Sequence, residues 1–413
     1  MTYYIDNING LTTNDGCSEN TPLDSISNIS TLSRGDTVLF KRGSFYRSNL
    51  ETKEGITYGA YGEGEKPTFC GSADLSDVAD WIETETPNVW ECAKKIDGNV
   101  GNFVFTKDGV ESFATLRWTT EDLVSQGDFW DSRYGEKPSS HVKTSQTVLL
   151  YSIGNPAVVY SHIEGISFFT RNLGILRSHT TFKDLKFMNS GVHGLAGRGE
   201  NITVQNCDFV NIGGCVWSKE LRIRFGNGVE LWTHGDNVTV EGCMFKNIYD
   251  SCVTHQGPGD QTVTARNFIC RNNVFDTYGM AAFEYRDKLP INSCFTNNVC
   301  LNAGCGFAML GEGDPRSSEI WPQPMGHHIF LWRIEKADAE SYVEIKNNVF
   351  GPAPVGAAIY SIISPDAEAR IELDNNVYTP NSRLLIHFGG ESFTSLEDYK
   401  AKTGKDANSN YIK

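Results

Sequence analysis

Cys270-Arg-Asn-Asn-Val-Phe275 and Ile345-Lys-Asn-Asn-Val-Phe350 are two of seven segments that repeat one pattern, in which strand-like residues and a small or polar pair precede an apolar residue. The other five are Phe182-Lys-Asp-Leu-Lys-Phe187, Val204-Gln-Asn-Cys-Asp-Phe209, Val240-Glu-Gly-Cys-Met-Phe245, Phe295-Thr-Asn-Asn-Val-Cys300 and Leu373-Asp-Asn-Asn-Val-Tyr378. Successive copies begin 22, 36, 30, 25, 50 and 28 residues apart. A fixed minimum length with insertions is typical of a solenoid of similar coils.

The strands implied by this repeat are short and are separated by Gly, Asn and Asp, without amphipathic helices between them. Crossover βαβ units are thereby excluded, so the strands must stack coil upon coil as parallel sheets. We predict an all-β fold, a right-handed parallel β-helix. The Asn pairs at 272–273, 297–298, 347–348 and 375–376 fall at one corner of successive coils, where Asn tolerates the left-handed conformation and can bond to neighbouring coils.

The two ends of the chain depart from the repeat. We expect residues 1–72 to form an N-terminal cap and the first coils, with a short helix near 22–33. Residues 73–150, which gather four tryptophans, are predicted to be an inserted subdomain. The β-helix is then expected over 151–381, and a C-terminal cap over 382–413 with a short helix at 396–402.

Composition excludes several classes of protein. The formal net charge of −15 would repel a polyphosphate, so nucleic acid is not an expected partner. No apolar run approaches the roughly 18 residues of a membrane span. The N-terminus lacks a basic region followed by an apolar one, so we expect a cytoplasmic protein, or a secreted one whose leader has been removed.

The cysteines and histidines show no spacing typical of a metal site. Most of the 11 cysteines are expected to be buried thiols, because several occupy repeated strand positions that suit a small apolar residue. No metal or other cofactor is predicted, and chelators are expected to leave stability and activity unchanged.

Four stretches resemble proteins of a known kind. They are Tyr58–Pro67, Gln126–Trp130 with Leu149–Ala157, Gly226–Trp232 and Ile248–Gln256. They resemble the right-handed β-helix proteins of bacterial glycan degradation, and most of all the β-helix glycoside hydrolases of the fucosidase/xylanase and β-xylosidase kind. The resemblance implies a carbohydrate substrate but leaves the activity open, since one such scaffold hosts hydrolases, lyases, epimerases and viral adhesins.

Four strands of the second half can be aligned in register, namely Asn227–Trp232, Ser251–Gln256, Ala281–Arg286 and Cys305–Leu310. Successive strand residues alternate between the two faces of a sheet. The alignment therefore predicts a core column of Val229, Val253, Phe283 and Phe307. It also predicts a solvent-facing column of Glu230, Thr254, Glu284 and Ala308, and a second outward column of Trp232, Gln256, Arg286 and Leu310.

Glu230 and Glu284 are the predicted catalytic pair. Parallel strands lie about 4.8 Å apart, so two residues on alternate coils have backbones about 10 Å apart. Glycoside hydrolysis needs a proton donor and a second carboxylate, roughly 5 Å away for retention and about 6.5–9.5 Å for inversion. The spacing favours inversion.

Glu284 is the expected proton donor because its neighbours are of low polarity, which raises the pKa of a carboxyl. If Arg286 points at Glu284, that pKa falls and the donor role passes to Glu230 or to Asp250, the alternative carboxylate.

Candidate substrate-binding residues surround this pair. They are the aromatic residues Trp232, Tyr285 and Trp321, the polar residues Gln256 and Arg286, and the histidines His255 and His328. The insertion at 311–326, which carries Trp321, is expected to wall a groove. His328 is chosen because a histidine commonly follows that insertion in the proteins that this chain resembles.

These residues favour a glycoside hydrolase acting on an oligo- or polysaccharide. A polysaccharide lyase is the main alternative, since Arg286 could neutralise a uronate while Tyr285 supplies a base. An epimerase and a non-catalytic, tailspike-like glycan-binding protein also stay open. The sugar, the linkage and the oligomeric state are not specified by the sequence.

Overall fold

The computed structural model describes residues 1–134, 147–167, 172–233, 235–257, 260, 262–305, 326–381 and 383–412. The first strands are β1 (Thr2–Ile5), β2 (Thr37–Lys41), β3 (Phe45–Tyr46), β4 (Thr57–Tyr61) and β5 (Thr68–Cys70). The next nine are β6 (Ser72–Asp74), β7 (Trp81–Glu83), β8 (Val89–Cys92), β9 (Val100–Lys107), β10 (Val110–Phe113), β11 (Thr115–Leu116), β12 (Asp128–Asp131), β13 (Val148–Tyr151) and β14 (His162–Ser167).

The repeat region contributes the remaining strands. They are β15 (Asn172–Leu176), β16 (Thr181–Lys183), β17 (Lys186–Ser190), β18 (His193–Gly197), β19 (Ile202–Gln205), β20 (Asp208–Ile212), β21 (Cys215–Ser218), β22 (Ile223–Phe225), β23 (Val229–Trp232), β24 (Val238–Glu241), β25 (Met244–Ile248), β26 (Ser251–Gln256), β27 (Phe268–Arg271) and β28 (Val274–Tyr278). After them come β29 (Ala281–Arg286), β30 (Ser293–Thr296), β31 (Val299–Ala303), β32 (His327–Ile334), β33 (Val343–Lys346), β34 (Val349–Phe350), β35 (Ile359–Ile363), β36 (Ile371–Asp374), β37 (Val377–Tyr378), β38 (Ile386–Phe388), β39 (Glu391–Phe393) and β40 (Asn410–Tyr411).

Three long sheets run the length of the molecule. Sheet 1 has the order β1-β2-β4-β16-β19-β24-β27-β30-β33-β36, and sheet 2 the order β3-β5-β17-β20-β25-β28-β31-β34-β37-β40. Sheet 3 has the order β15-β18-β23-β26-β29-β32-β35-β38-β39, and only its last pair is antiparallel. From β15 to β37 each coil gives one strand to each sheet, so the chain is a right-handed parallel β-helix, as predicted.

The predicted Asn ladder lies at the corner between sheets 1 and 2. The first Asn of each pair has a positive φ; the second is buried and donates to the next coil. The links run from Asn273 Nδ2 to Asn298 Oδ1 (3.1 Å), from Asn298 to Asn348 (3.2 Å), from Asn348 to Asn376 (3.0 Å) and from Asn376 to Asp406 Oδ1 (2.9 Å). The ladder therefore satisfies buried amides from coil to coil.

The interior is a continuous stack of apolar side chains. Phe187, Phe209, Phe245 and Phe275, all from the repeated pattern, stack with ring centroids 4.7 to 5.5 Å apart. Most cysteines are buried thiols and all 11 are free, as expected. The repeat thus fixes both the corner and the core of each coil.

The inserted unit extends beyond its predicted end at residue 150. Sheets β10-β9-β14-β6 and β11-β12-β13-β8-β7 make it up, and β14 ends only at Ser167. Its own apolar core includes Trp81, with Trp90, Trp118 and Trp130 packed against that core. The boundary was misplaced because β13 and β14 have the same apolar character as strands of the coils.

The ends and helices are short. Near 22–33 there is only a 3₁₀ turn, Ile26–Asn28, in place of the expected helix. The α-helices are α1 (Pro156–Val159), α2 (Pro365–Ala369) and the predicted C-terminal helix, α3 (Leu396–Thr403), which is capped by Ser395. None of the helices in the described part is long and apolar enough to cross a membrane.

Candidate active site

Sheet 3 carries the aligned residues. β23, β26 and β29 pair in the predicted register, which puts Glu230, Thr254 and Glu284 side by side on the outer face. On β18, Ala196 continues this column beside Glu230. The two carboxyls therefore stand on alternate strands, with the backbones about 10 Å apart.

The fourth strand of the alignment is wrong. β32 pairs with β29, so Phe330 lies beside Glu284, and Trp332 lies beside Arg286. Residues 306–310, which the alignment put there, lie outside the described residues, as does Trp321 in the predicted groove wall. The error arose because Cys305–Leu310 imitates the small-then-apolar pattern with which earlier strands of this sheet begin.

The column was expected to face solvent, and this expectation is also wrong. Glu230 is 1% exposed, Thr254 is 0% exposed and Glu284 is 0% exposed, although all three lie on the outer face. Buried carboxyls must be hydrogen-bonded or paired, because an isolated buried charge is very costly. The surroundings of each carboxyl therefore decide its charge.

Glu230 lies against a histidine and an amide. His193 Nδ1 is 2.7 Å from Glu230 Oε2, and Asn227 Nδ2 donates to the same oxygen at 3.0 Å. Burial alone would raise the pKa of Glu230, but the His193 charge and these contacts outweigh it and hold that pKa below its ordinary value. Glu230 is therefore the carboxyl that ionises more readily.

The pKa of Glu284 is shifted in the opposite direction. Ser251 Oγ and Thr254 Oγ1 donate to its Oε2 at 2.9 and 3.2 Å, and Arg286 Nε donates to its Oε1. Burial raises the pKa of Glu284, and the negative charge of Asp250 adds to this; Arg286 opposes both without cancelling them. Arg286 does point at Glu284, which was the condition for passing the donor role to Glu230 or Asp250; the pKa of Glu284 nevertheless stays raised, so the fall expected from that contact does not occur.

A short polar chain connects the two carboxyls. Asn227 donates to Glu230 through Nδ2 and accepts the backbone N–H of Ser251 through Oδ1 at 2.8 Å. Ser251 in turn donates to Glu284 through its hydroxyl. The two acids are thus held in one network while their environments push their pKa values apart, the pattern expected of an acid and a base.

A cleft of about 890 Å³ opens on the outer face of sheet 3 next to His193, and neither Glu230 nor Glu284 is among its lining residues. His193, Ala196 and Trp232 are among its lining residues, together with Arg177 and Arg198. Trp232 is 39% exposed and offers a ring face to a ligand, as predicted from the second outward column. That column continues through Gln256 and Arg286, both partly exposed.

Three predicted binding residues face the interior instead. Tyr285 packs edge-on against Phe283, and His255 packs against Phe268. His328 is fully buried: its Nδ1 lies 2.5 Å from the Tyr278 hydroxyl and its Nε2 is 2.9 Å from the Gly351 carbonyl oxygen. Burial lowers the pKa of His328 to about 4.

None of these three can touch a ligand on the outer face. The strand alternation puts His255 and Tyr285 in the column next to the acids, which points inward. His328 was chosen on a resemblance and not on its position in the register, so its interior location could not be predicted from that choice.

His193, Asn227 and Ser251 were missed as site residues. All three share one outward column, three residues before the column of the acids. Extending the alignment back by one coil, to His193–Arg198, would have shown His193 beside Asn227. Within the described ranges, no group of three or more His, Cys, Asp or Glu residues could hold a metal ion.

No known family profile and no curated protein matches this sequence. Solved structures do match it. The GH136 lacto-N-biosidase from Eubacterium ramulus matches with 15% identity and a TM-score of 0.48 over 91% of this chain, which spans 60% of that protein's length. The complex of XylC with xylose matches with 13% identity and a TM-score of 0.35 over 95% of this chain and 88% of XylC.

A third match is a family 28 exopolygalacturonase from Yersinia enterocolitica, with 12% identity and a TM-score of 0.36. It covers 92% of this chain and 71% of the exopolygalacturonase. The likeness noted from the sequence thus extends to solved structures named as glycoside hydrolases, at low identity.

Proposed function

We propose that this protein is a glycoside hydrolase in which Glu284 is the proton donor and Glu230 the base. The proposal rests on one observation. Two buried carboxyls in one hydrogen-bonded network beside a cleft have pKa values that are shifted in opposite directions. A protonated acid and an ionised base must coexist at one pH, and the environments of these residues favour that combination. The resemblance to β-helix glycoside hydrolases supports the same class.

The reaction we infer is hydrolysis with inversion. Glu284 gives its proton to the leaving oxygen while Glu230 takes a proton from the attacking water, whose oxygen bonds to the anomeric carbon. A backbone separation of about 10 Å leaves room for the water between substrate and base. Asp250, which faces Glu284 and raises its pKa, is the alternative second carboxylate.

The substrate is proposed to bind in the cleft, with a sugar face against Trp232. Gln256 and Arg286 continue the same outward column toward Glu284 and are proposed to bind hydroxyl groups. Arg286 contacts Glu284 and is itself about one-third exposed. If a substrate draws the guanidinium away, the pKa of Glu284 rises further, because the charge that lowers it has left.

The lyase alternative is weakened by the position of Tyr285. A lyase would need that hydroxyl beside Arg286, whereas the Tyr285 side chain packs in the core against Phe268 and Phe283. A tailspike-like protein that binds a glycan without cleaving it would use the cleft alone. These alternatives give different products, so one assay separates them.

The test is a product assay on mixed plant and algal oligosaccharides, read by reducing ends and by ultraviolet absorbance. New reducing ends without absorbance support the hydrolase, and an absorbing unsaturated product identifies a lyase. Binding without any product would identify a glycan-binding protein. The anomer formed first, followed by NMR, tests inversion.

A further inference from the structure

Two histidine–glutamate pairs have different surroundings, and His193 of one pair lines the cleft whereas His179 of the other does not. In one, His193 is 4% exposed and Glu230 1% exposed, with Nδ1 and Oε2 2.7 Å apart. In the other, His179 and Glu200 are 31% and 56% exposed, with Nε2 and Oε1 3.6 Å apart. A contact between exposed charges contributes little, whereas a buried one decides the charge state of its members.

The imidazole of His193 is held on several sides. Its Nδ1 lies 3.1 Å from the backbone N of Asn227 and 2.7 Å from Glu230 Oε2. The ring of Phe225 packs edge-on, with centroids 5.6 Å apart. His193 also lines the cleft, so it stands between the buried carboxyl and the space where a ligand would lie.

The charged groups around Glu230 come from three elements. His193 on β18 touches it, Arg286 on β29 contributes a second positive charge, and Glu284 on β29 with Asp250 before β26 supplies the acidic groups of the cluster. Arg286 donates to Glu284, whereas His193 lies directly against Glu230 and lowers the pKa of that carboxyl. Without it, burial would favour the neutral acid.

We propose that His193 is the positioning residue of the base: it holds Glu230 charged and correctly oriented at the edge of the cleft. The proposal rests on the proposed hydrolase function and adds a residue to it. In the reaction, Glu230 accepts one proton from water, and the leaving oxygen accepts one from Glu284. Both carboxyls return to their starting states by proton exchange with solvent.

The first experiment compares H193Q with the matched control H179Q in the full-length protein. H193Q is expected to lower kcat about 10- to 100-fold with a smaller change in KM, because the proposed substrate contacts of Trp232, Gln256 and Arg286 stay. The acid limb of its kcat/KM profile should move to higher pH, since Glu230 then ionises less readily. H179Q should match the wild type in both respects.

The second experiment needs no substrate. Thermal unfolding of the wild type, H193Q, E230Q and the double variant forms a cycle, and a non-additive result shows that the two side chains are coupled. If H193Q does not fold, H193N replaces it in both experiments. Coupling in a protein that cleaves no glycan would overturn the hydrolase and, with it, the role of His193.

An unchanged pH profile in an active H193Q, or additive unfolding in the cycle, would overturn the inference about His193 and leave the hydrolase standing. A purely structural histidine would lower the melting temperature without moving the acid limb. The pH profile therefore separates a positioning role from a packing role.

Discussion

The corner between sheets 1 and 2 and the outer face of sheet 3 are built from the same coils in different ways. At the corner, Asn273, Asn298 and Asn348 repeat one residue, one bond and one orientation in successive coils. On the outer face, Glu230 and Glu284 stand in one column with different partners. The repeated position stabilises the solenoid, and the position that changes from coil to coil carries the proposed chemistry.

Buried polar groups are paired in different ways in the two regions. In the ladder the buried amides of Asn273, Asn298 and Asn348 each donate to their equivalent in the next coil, so these links involve no charge. In the site, two acids are buried beside a histidine and an arginine that no neighbouring coil repeats. Breaking the ladder should therefore affect stability, whereas breaking the site should affect activity.

The largest expected effect is on activity. E284Q and E230Q should each lower kcat/KM by about 10²–10⁴-fold, because each removes a proton transfer in the transition state. E284Q should keep more activity on substrates whose leaving group needs no proton. The control is E241Q on sheet 1, where Glu241 pairs with Arg271 and lies outside the cleft lining. Full activity in both site variants would refute the assignment.

The largest expected effect on stability comes from the ladder. N298A should lower the free energy of unfolding by about 2–4 kcal/mol, because it removes the oxygen that accepts both the backbone N–H and the side-chain amide of buried Asn273. N408A, which removes an exposed amide bonded to Asp374, should change it by less than about 1 kcal/mol. Denaturant unfolding measures both. An equal loss in the two variants would contradict the structural role of the ladder.

The pH profile sharpens the contrast between the two acids. Activity should rise as Glu230 ionises, below the ordinary range of Glu because its pKa is lowered, and fall as Glu284 loses its proton, above that range because its pKa is raised. The profile of kcat/KM should therefore be a broad bell. A profile with a single limb would count against the assigned roles. So would a bell no wider than two carboxyls with ordinary pKa values would produce.

The smallest expected effect concerns binding. W232A should raise KM several-fold, about 1 kcal/mol, and change kcat less, because the ring contacts the sugar away from the reacting bond. W217A is the control, since Trp217 is exposed but is not among the residues lining the cleft. If kcat fell and KM held, Trp232 would belong closer to the reacting atoms.

The sequence predicted what repeats. The spacing of the Asn pairs gave the corner, and alternation along the strands gave the register of Glu230 and Glu284. A second ladder, in which Asn211 bonds to Asn189 and Asn247 to Asn211, escaped notice because these residues follow the repeated pattern and stand outside it.

What the sequence could not predict depends on parts of the chain that are distant from the repeat. The burial of Glu284 is set by groups packed over the sheet, which a strand alignment does not contain. The partner of β29 was misassigned because an insertion separates it from β32. His193 escaped because the alignment began one coil too late, at Asn227.

The direction of the Asn ladder has a consequence for how such a molecule can change its length. In the links between side chains every amide donates toward the C-terminus, and the series ends at Asp406, a carboxylate that accepts and needs no further acceptor. Tyr378 and Ser409 also donate to this end group. Whole coils could therefore be gained or lost between Asn273 and Asp406 without leaving a buried amide unpaired. A family of longer and shorter solenoids could arise by duplication or deletion of single coils.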